Sequence, residues 1–189
     1  QGVLNVVTGY GDSTGEPLIS HPDVRMVSFT GSTYGGRAVA RLAAQQVKPV
    51  IMELGGKSPQ IVLPDADIDL AVNGIAGGIF PAGGQSCISG SRLLIHESII
   101  EEFTEKLIKV VSKAQVGPPN EPDTQIGPMA NKPHYQRVLK FIADAEDAGH
   151  NLLLDGRSKC CDLGYYIGPT VFSNVPNDSE LAQTEIFGP

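Results

Sequence analysis

Apolar and polar positions change their period several times along the chain, and each change marks an element. Residues 3–8, Val-Leu-Asn-Val-Val-Thr, read as a short buried strand. A glycine-rich turn, Gly9 to Gly15, follows, then a short helix ending near His21-Pro22. Residues 24–30 form a second strand, residues 33–46 a helix with Ala38, Val39, Leu42 and Ala43 on one face, and residues 50–54 a third strand stopped by Gly55-Gly56. Strand, helix, strand at this spacing implies right-handed crossovers and a parallel sheet.

The pattern continues beyond Gly56. Residues 59–63 predict a strand. Pro64-Asp65-Ala66-Asp67 opens a helix running to about Phe80, with acids where the helix dipole favours them. A strand over 91–96 leads to an amphipathic helix over 98–113, with Ile99, Phe103, Leu107 and Val110 as its apolar stripe. After a Pro/Gly-rich loop over 117–128, a helix over 133–148 turns Val138, Leu139, Ile142 and Ala145 inward and ends at Gly149. Residues 151–154 and 166–175 read as strands. The expected architecture is α/β in two parts: residues 1–54, where the βα pattern repeats, and residues 55–189.

Composition sharpens this division. The formal charge is −7, and residues 1–54 balance Arg25, Arg37, Arg41 and Lys48 against Asp12, Glu16, Asp23 and Glu53, so the whole excess falls on residues 55–189. No Lys/Arg cluster offers a phosphate-backbone footprint, which argues against a nucleic-acid partner. No apolar run approaches the ~18 residues of a membrane span. Three cysteines, Cys87, Cys160 and Cys161, are too few and too awkwardly placed for a disulfide framework; they suit a reducing compartment, taken as the cytoplasm. Cys160 and Cys161 read as exposed and incidental in a polar turn. The four histidines show no metal-ligand spacing, so no metal site is expected, and His21 reads as a surface residue beside a helix end. The sequence starts without Met and stops in Ile186-Phe187-Gly188-Pro189, which reads as an internal piece of a longer chain.

Three stretches could carry chemistry, and the residues alone leave each with two readings. Cys87, in Gly83-Gly84-Gln85-Ser86-Cys87, is either an approachable nucleophile or a small buried residue. Phe29-Thr30-Gly31-Ser32-Thr33-Tyr34-Gly35-Gly36 is either a phosphate-binding turn at a helix N-terminus or an ordinary turn capped by Ser32 or Thr33. Glu53, ending a strand, is either poised for acid–base work or paired with Lys57 at the rim. Gly9-Tyr10-Gly11-Asp12-Ser13-Thr14-Gly15 has the wrong spacing for a dinucleotide fingerprint.

Taken together, Phe29 to Thr33, Glu53-Leu54-Gly55-Gly56-Lys57-Ser58-Pro59, Gly84-Gln85-Ser86-Cys87 and Glu185 to Pro189 resemble the aldehyde dehydrogenase superfamily in order and spacing. The resemblance implies the end of a Rossmann-like NAD(P)-binding domain followed by the start of an α/β catalytic domain. It implies Cys87 as nucleophile, Glu53 as general base, and Gly31 and Ser32 at the cofactor pyrophosphate. Leu54 and Gly55 would line the nicotinamide side, Glu185 would hold the nicotinamide ribose and Phe187 would pack beside the nicotinamide. The cofactor would be NAD or NADP, with NAD slightly favoured. A small aldehyde would be the substrate, and the full-length protein a homo-oligomer, dimer or tetramer.

The implied reaction forms a thiohemiacetal and then a thioester on Cys87, hydrolysed by water that Glu53 activates. The presence of Glu53 favours the acid-forming branch over relatives that pass the acyl group to coenzyme A. Many members carry Phe-Asn-x-Gly-Gln-x-Cys before the nucleophile, whereas this chain has Phe80-Pro81-Ala82-Gly83-Gly84-Gln85-Ser86-Cys87, in which Pro81 fixes φ and removes a donor at the loop's entry. Without the family's first half, including its oxyanion-hole asparagine, residues 1–189 alone are expected to be inactive. Two competing readings are a cysteine hydrolase, for which no histidine motif accompanies Cys87, and a catalytically silent binding or structural protein of the same fold.

Overall fold

The computed structural model describes residues 2–157 and 163–189; the reading of Cys160 and Cys161 falls outside the described residues. Backbone contacts divide the chain into two units, one ending at Gly55 and the other spanning Gly56–Pro189.

In the first unit, a wide helical turn at Gly11–Gly15 runs into α1 (Glu16–Ser20), followed by β1 (Val27–Thr30), α2 (Thr33–Ala44) and β2 (Val50–Glu53). β1 and β2 pair in parallel, from Val27 opposite Val50 to Thr30 opposite Glu53, as the crossover pattern predicts. α2 buries Gly36, Val39 and Ala43. Lys48 ties α1 down by donating from Nζ to the carbonyls of Ile19 and His21, both at 2.6 Å. His21 Nδ1 accepts from the Asp23 N–H at 3.2 Å, a turn contact that gives it a structural role. The expected strand over residues 3–8 does not form: Val3 and Leu4 are 99% and 85% exposed. A strand is stable only with a neighbouring ladder, and no described strand lies beside these residues. The strand expected over 24–30 likewise shortens to Val27–Thr30, the residues that have partners on β2.

The second unit holds β3 (Pro59–Val62), α3 (Ile68–Ile79), β4 (Arg92–Ile95), α4 (Ile100–Val111), α5 (Lys132–Asp147), β5 (Asn151–Leu154), β6 (Val171–Ser173) and α6 (Glu180–Gln183). β3 and β4 are parallel, whereas β5 and β6 are antiparallel. Asp67 caps α3, its Oδ1 accepting from the Leu70 N–H at 3.0 Å. α3 and α4 close the main core with Val72, Ile75, Phe103, Leu107 and Val111. Each fully buried Leu or Phe contributes roughly 1.5–3 kcal/mol relative to an exposed one. Val110 is a correction: it is 40% exposed while Val111 is buried, because Phe103, Leu107 and Val111 repeat strictly every four residues.

α5 builds a second cluster with Met129, Val138, Ile142 and Ile167. It ends as its sequence predicts: Gly149, at φ +82°, donates to the Glu146 carbonyl, and the His150 N–H reaches Ala145. The strand expected over 166–175 shrinks to β6. Pro169 has no N–H for a ladder, and the Gly168 N–H bonds to the Gly156 carbonyl at 2.8 Å instead, in a buried irregular stretch. Among the described residues no helix is long and apolar enough to cross a membrane.

Candidate active site

The first unit gathers five of the marked residues at the C-terminal edge of β1–β2. The Gly31 N–H donates to the Glu53 carbonyl at 3.0 Å, extending the strand pairing by one bond. Ser32 is extended, and its Oγ accepts from the Gly35 N–H at 3.1 Å, so it caps α2. The turn is tight because the Phe29 ring lies against it: a Cβ on Gly31 would come within 2.7 Å of that ring. Leu54 packs on the first turn of α2, where a Cβ on Gly36 would meet its Cδ2 at 2.6 Å. Gly55 ends the unit. The Glu53 side chain is exposed, with no hydrogen bond or ion pair to the described residues of its unit. Among the described residues, none accepts from the N–H groups of Thr33 and Tyr34 at the exposed helix start.

In the second unit, α3 delivers the chain into a turn over Pro81–Gly84 in which Ala82, Gly83 and Gly84 take φ of +54°, +63° and +67°. A left-handed residue bearing a Cβ costs about 1–2 kcal/mol, so Ala82 is strained. Gly84 has no alternative: a Cβ there would lie 2.1 Å from the Gly188 carbonyl oxygen. Gln85 holds the loop. Its Nε2 donates to the carbonyls of Ala82 at 2.9 Å and Pro128 at 3.3 Å, and its Oε1 accepts from the Ala130 N–H at 2.8 Å. Two residues on, Cys87 presents an exposed free thiol at a turn closed by the Ser89 N–H on the Ser86 carbonyl at 3.1 Å. The reading of Cys87 as a small buried residue therefore fails. No described residue accepts from the Cys87 N–H.

Gly56 joins this loop to the Glu185 segment. A Cβ on Gly56 would come within 3.4 Å of the Cys87 carbonyl oxygen, and its N–H donates to Glu185 Oε1 at 3.3 Å. Glu185 and Phe187 are half-buried, Phe187 at φ +62°. They line a cleft of about 700 Å³ with Gly56, Lys57, Ser86 and Arg92.

Three contributors escaped the sequence reading, Gln85, His134 and Arg137, and Lys57 entered it only as a rim partner for Glu53. Gln85 stood inside a quoted motif, but nothing signalled that its amide would bridge two loops. Arg137 and His134 sit three residues apart on α5, a spacing that shares a face, yet their partners lie 48 to 53 residues away. Burial pushes the Lys57 ammonium down from 10.5 to about 8; the neighbouring Arg92 charge adds to this and Glu185 opposes it. Lys57 should therefore acylate with acetic anhydride along a curve centred near pH 8. Lysines of ordinary pKa, about 10.4, stay protonated there. Peptide mass spectrometry across a pH series reads this directly, and a Lys57 midpoint at the ordinary value contradicts it. Among the described residues no group of three or more His, Cys, Asp or Glu could hold a metal ion.

The family model described as "Aldehyde dehydrogenase family" matches residues 1–189. A chloroplastic betaine aldehyde dehydrogenase from Amaranthus hypochondriacus is 45% identical over 189 residues, 100% of this chain and 38% of the relative. The structure of an NAD-dependent aldehyde dehydrogenase from Sinorhizobium meliloti superposes with a TM-score of 0.96 at 46% identity, covering 100% of this chain and 37% of that one. A mutant aldehyde dehydrogenase C from Pseudomonas syringae, in complex with NAD+ and octanal, gives a TM-score of 0.93 at 38% identity, over 97% of this chain and 38% of its own. The chain thus spans under two fifths of these relatives.

Proposed function

The chain belongs to the aldehyde dehydrogenase family, and from that premise we propose that the full-length protein oxidises a small aldehyde to a carboxylic acid with NAD or NADP. The observation that carries this reading is the exposed Cys87 thiol, on a loop held by Gln85 and adjoining Glu185 through Gly56. Residues 1–54 would form part of the cofactor domain and residues 55–189 part of the catalytic domain.

The residues at the start of α2 fit a dinucleotide. Free N–H groups of Thr33 and Tyr34, at the positive end of a 12-residue helix, suit a pyrophosphate beside Gly31 and Ser32. Leu54, Gly55 and Phe187 would border the nicotinamide, and the Glu185 carboxylate would accept from ribose hydroxyls. When bound, the cofactor supplies the hydride acceptor. The relatives from Sinorhizobium and Pseudomonas are described with NAD, which supports NAD as the first choice.

Cys87 would act as the thiolate that adds to the aldehyde carbon. Its free N–H would donate to the oxygen that becomes negative; one such donor is typically worth about 2.7–4 kcal/mol of barrier. After oxidation the acyl group rests on Cys87 as a thioester. Glu53 would take a proton from water, whose oxygen attacks that thioester, releasing the acid and the thiol. A homo-oligomer, dimer or tetramer, in the cytoplasm completes the proposal; the Amaranthus relative is named chloroplastic.

Aldehyde-dependent formation of NADH or NADPH by the purified full-length protein tests the reading. A folded protein that binds the cofactor but oxidises no member of an aliphatic, aromatic and aminoaldehyde panel would be the silent member instead. Purified residues 1–189 alone should give no NAD(P)-dependent turnover in that assay; measurable turnover refutes this expectation.

A further inference from the structure

We propose that Arg137 and His134, on one face of α5, are positioning residues that hold the segment carrying Glu185 and Phe187 for the cofactor. The inference rests on the cofactor reading of that segment given above. Residues 185–189 form no helix or strand, so their backbone gains no support from a regular ladder. Instead, three consecutive carbonyls are taken by side chains of α5. Arg137 donates from one terminal nitrogen to the Ile186 carbonyl at 2.8 Å and from the other to the Glu185 carbonyl at 2.7 Å. His134 donates from Nε2 to the Phe187 carbonyl at 2.6 Å, which places the proton of the neutral ring on that nitrogen.

Both side chains are themselves fixed. The Arg137 guanidinium lies 4.9 Å over the Phe141 ring one turn along the helix, and the His134 ring meets the Phe187 ring edge-on at 5.8 Å. Val138, next on the same face, packs against Gly188, where a Cβ would come within 2.8 Å of its Cγ1. The segment needs such support because Phe187 is left-handed at φ +62°, a conformation disfavoured for any residue with a side chain. Bonds made only to carbonyls restrain the backbone without occupying the Glu185 carboxylate, which accepts from the Gly56 N–H at 3.3 Å and keeps further acceptor capacity for a ligand.

The same helix also reaches the thiol loop. Asn131 caps α5, its Oδ1 accepting from the His134 N–H at 2.9 Å, and Ala130 and Pro128 just before it are the partners of Gln85. Gln85, through the residues just before α5, and His134 with Arg137, in its first two turns, therefore fix the loop of Cys87 and the segment of Glu185 to the N-terminal part of one helix.

The test uses the full-length protein and its Arg137→Met, Arg137→Lys and His134→Phe variants. Calorimetric titration with NAD and NADP gives Kd, and alkylation of Cys87 without cofactor, followed by peptide mass spectrometry, gives thiol access. Arg137→Met should weaken cofactor binding about 10-fold or more, with the alkylation rate within about 2-fold of wild type. Arg137→Lys, which keeps one charged donor, should recover most of the affinity. His134→Phe, which keeps the ring contact and loses the carbonyl bond, should weaken binding about 3-fold or more, and decides the matter if Arg137→Met does not fold. Unchanged cofactor affinity in the folded variants, or affinity and alkylation falling together, overturns the inference. Wild-type protein that binds cofactor without oxidising aldehydes sinks the activity while leaving this test intact.

Discussion

Alanine at Cys87 in the full-length protein is expected to lower aldehyde oxidation by at least about 10⁴-fold, the scale on which removing a covalent nucleophile acts. The substitution deletes one sulfur from an exposed free thiol. Exposed substitutions away from packing and caps move stability by only about 0.5 kcal/mol, so the fold should survive. The loop's geometry resides elsewhere, in the Gln85 amide and in the left-handed Gly83 and Gly84, and is untouched by the change. Cofactor affinity should therefore stay near wild type while turnover vanishes. Serine in place of alanine would not rescue, because an unactivated hydroxyl is a far weaker nucleophile than a thiolate. The measurement is aldehyde-dependent NADH formation beside a cofactor titration. Full activity in Cys87→Ala would remove Cys87 from the mechanism.

That site was legible in the sequence as a set of motifs, and the fold was legible wherever apolar period and stop signals agreed. Helix α5 shows why: its apolar face and its terminal Gly149 point to one answer, and the structure adds the Asn131 cap at its start. Period alone failed by one residue on α4, where Val110 and Val111 are adjacent and equally apolar; the four-residue repeat from Phe103 decides for Val111. Residues 3–8 look like a strand by composition, but strand formation is a property of the pair and not of the segment. The thiol's exposure was beyond composition too, since free cysteine is usually buried. The turn that precedes it takes three successive left-handed residues, only two of which are glycine; Ala82 gives no sequence hint of its φ. Gln85, Arg137 and His134 were silent for a further reason. Each bonds to backbone carbonyls or an amide in a distant segment, and a carbonyl acceptor carries no residue-type signature.

Glutamine at Glu53 should separate the two halves of the proposed reaction. The side chain is exposed at the end of β2, and the bond that fixes this position runs from the Gly31 N–H to the Glu53 backbone carbonyl, which glutamine retains. The replacement keeps the shape and removes the only function assigned to the carboxylate, accepting a proton from water. Acylation of Cys87 and the accompanying reduction of NAD should then proceed, giving a burst of NADH near one per active site in stopped-flow absorbance. Steady-state turnover should fall by roughly 10²–10⁴-fold, the usual contribution of a positioned general base. The burst distinguishes two roles for the same carboxylate. If Glu53 instead draws the proton from Cys87, the burst itself slows in step with turnover, and the carboxylate works before the thioester forms. An unchanged steady-state rate under conditions where deacylation limits turnover would remove Glu53 from proton transfer altogether. Addition of hydroxylamine sharpens the reading: as a strong nucleophile it cleaves a thioester without a base, so it should restore turnover only if the slowed step is hydrolysis.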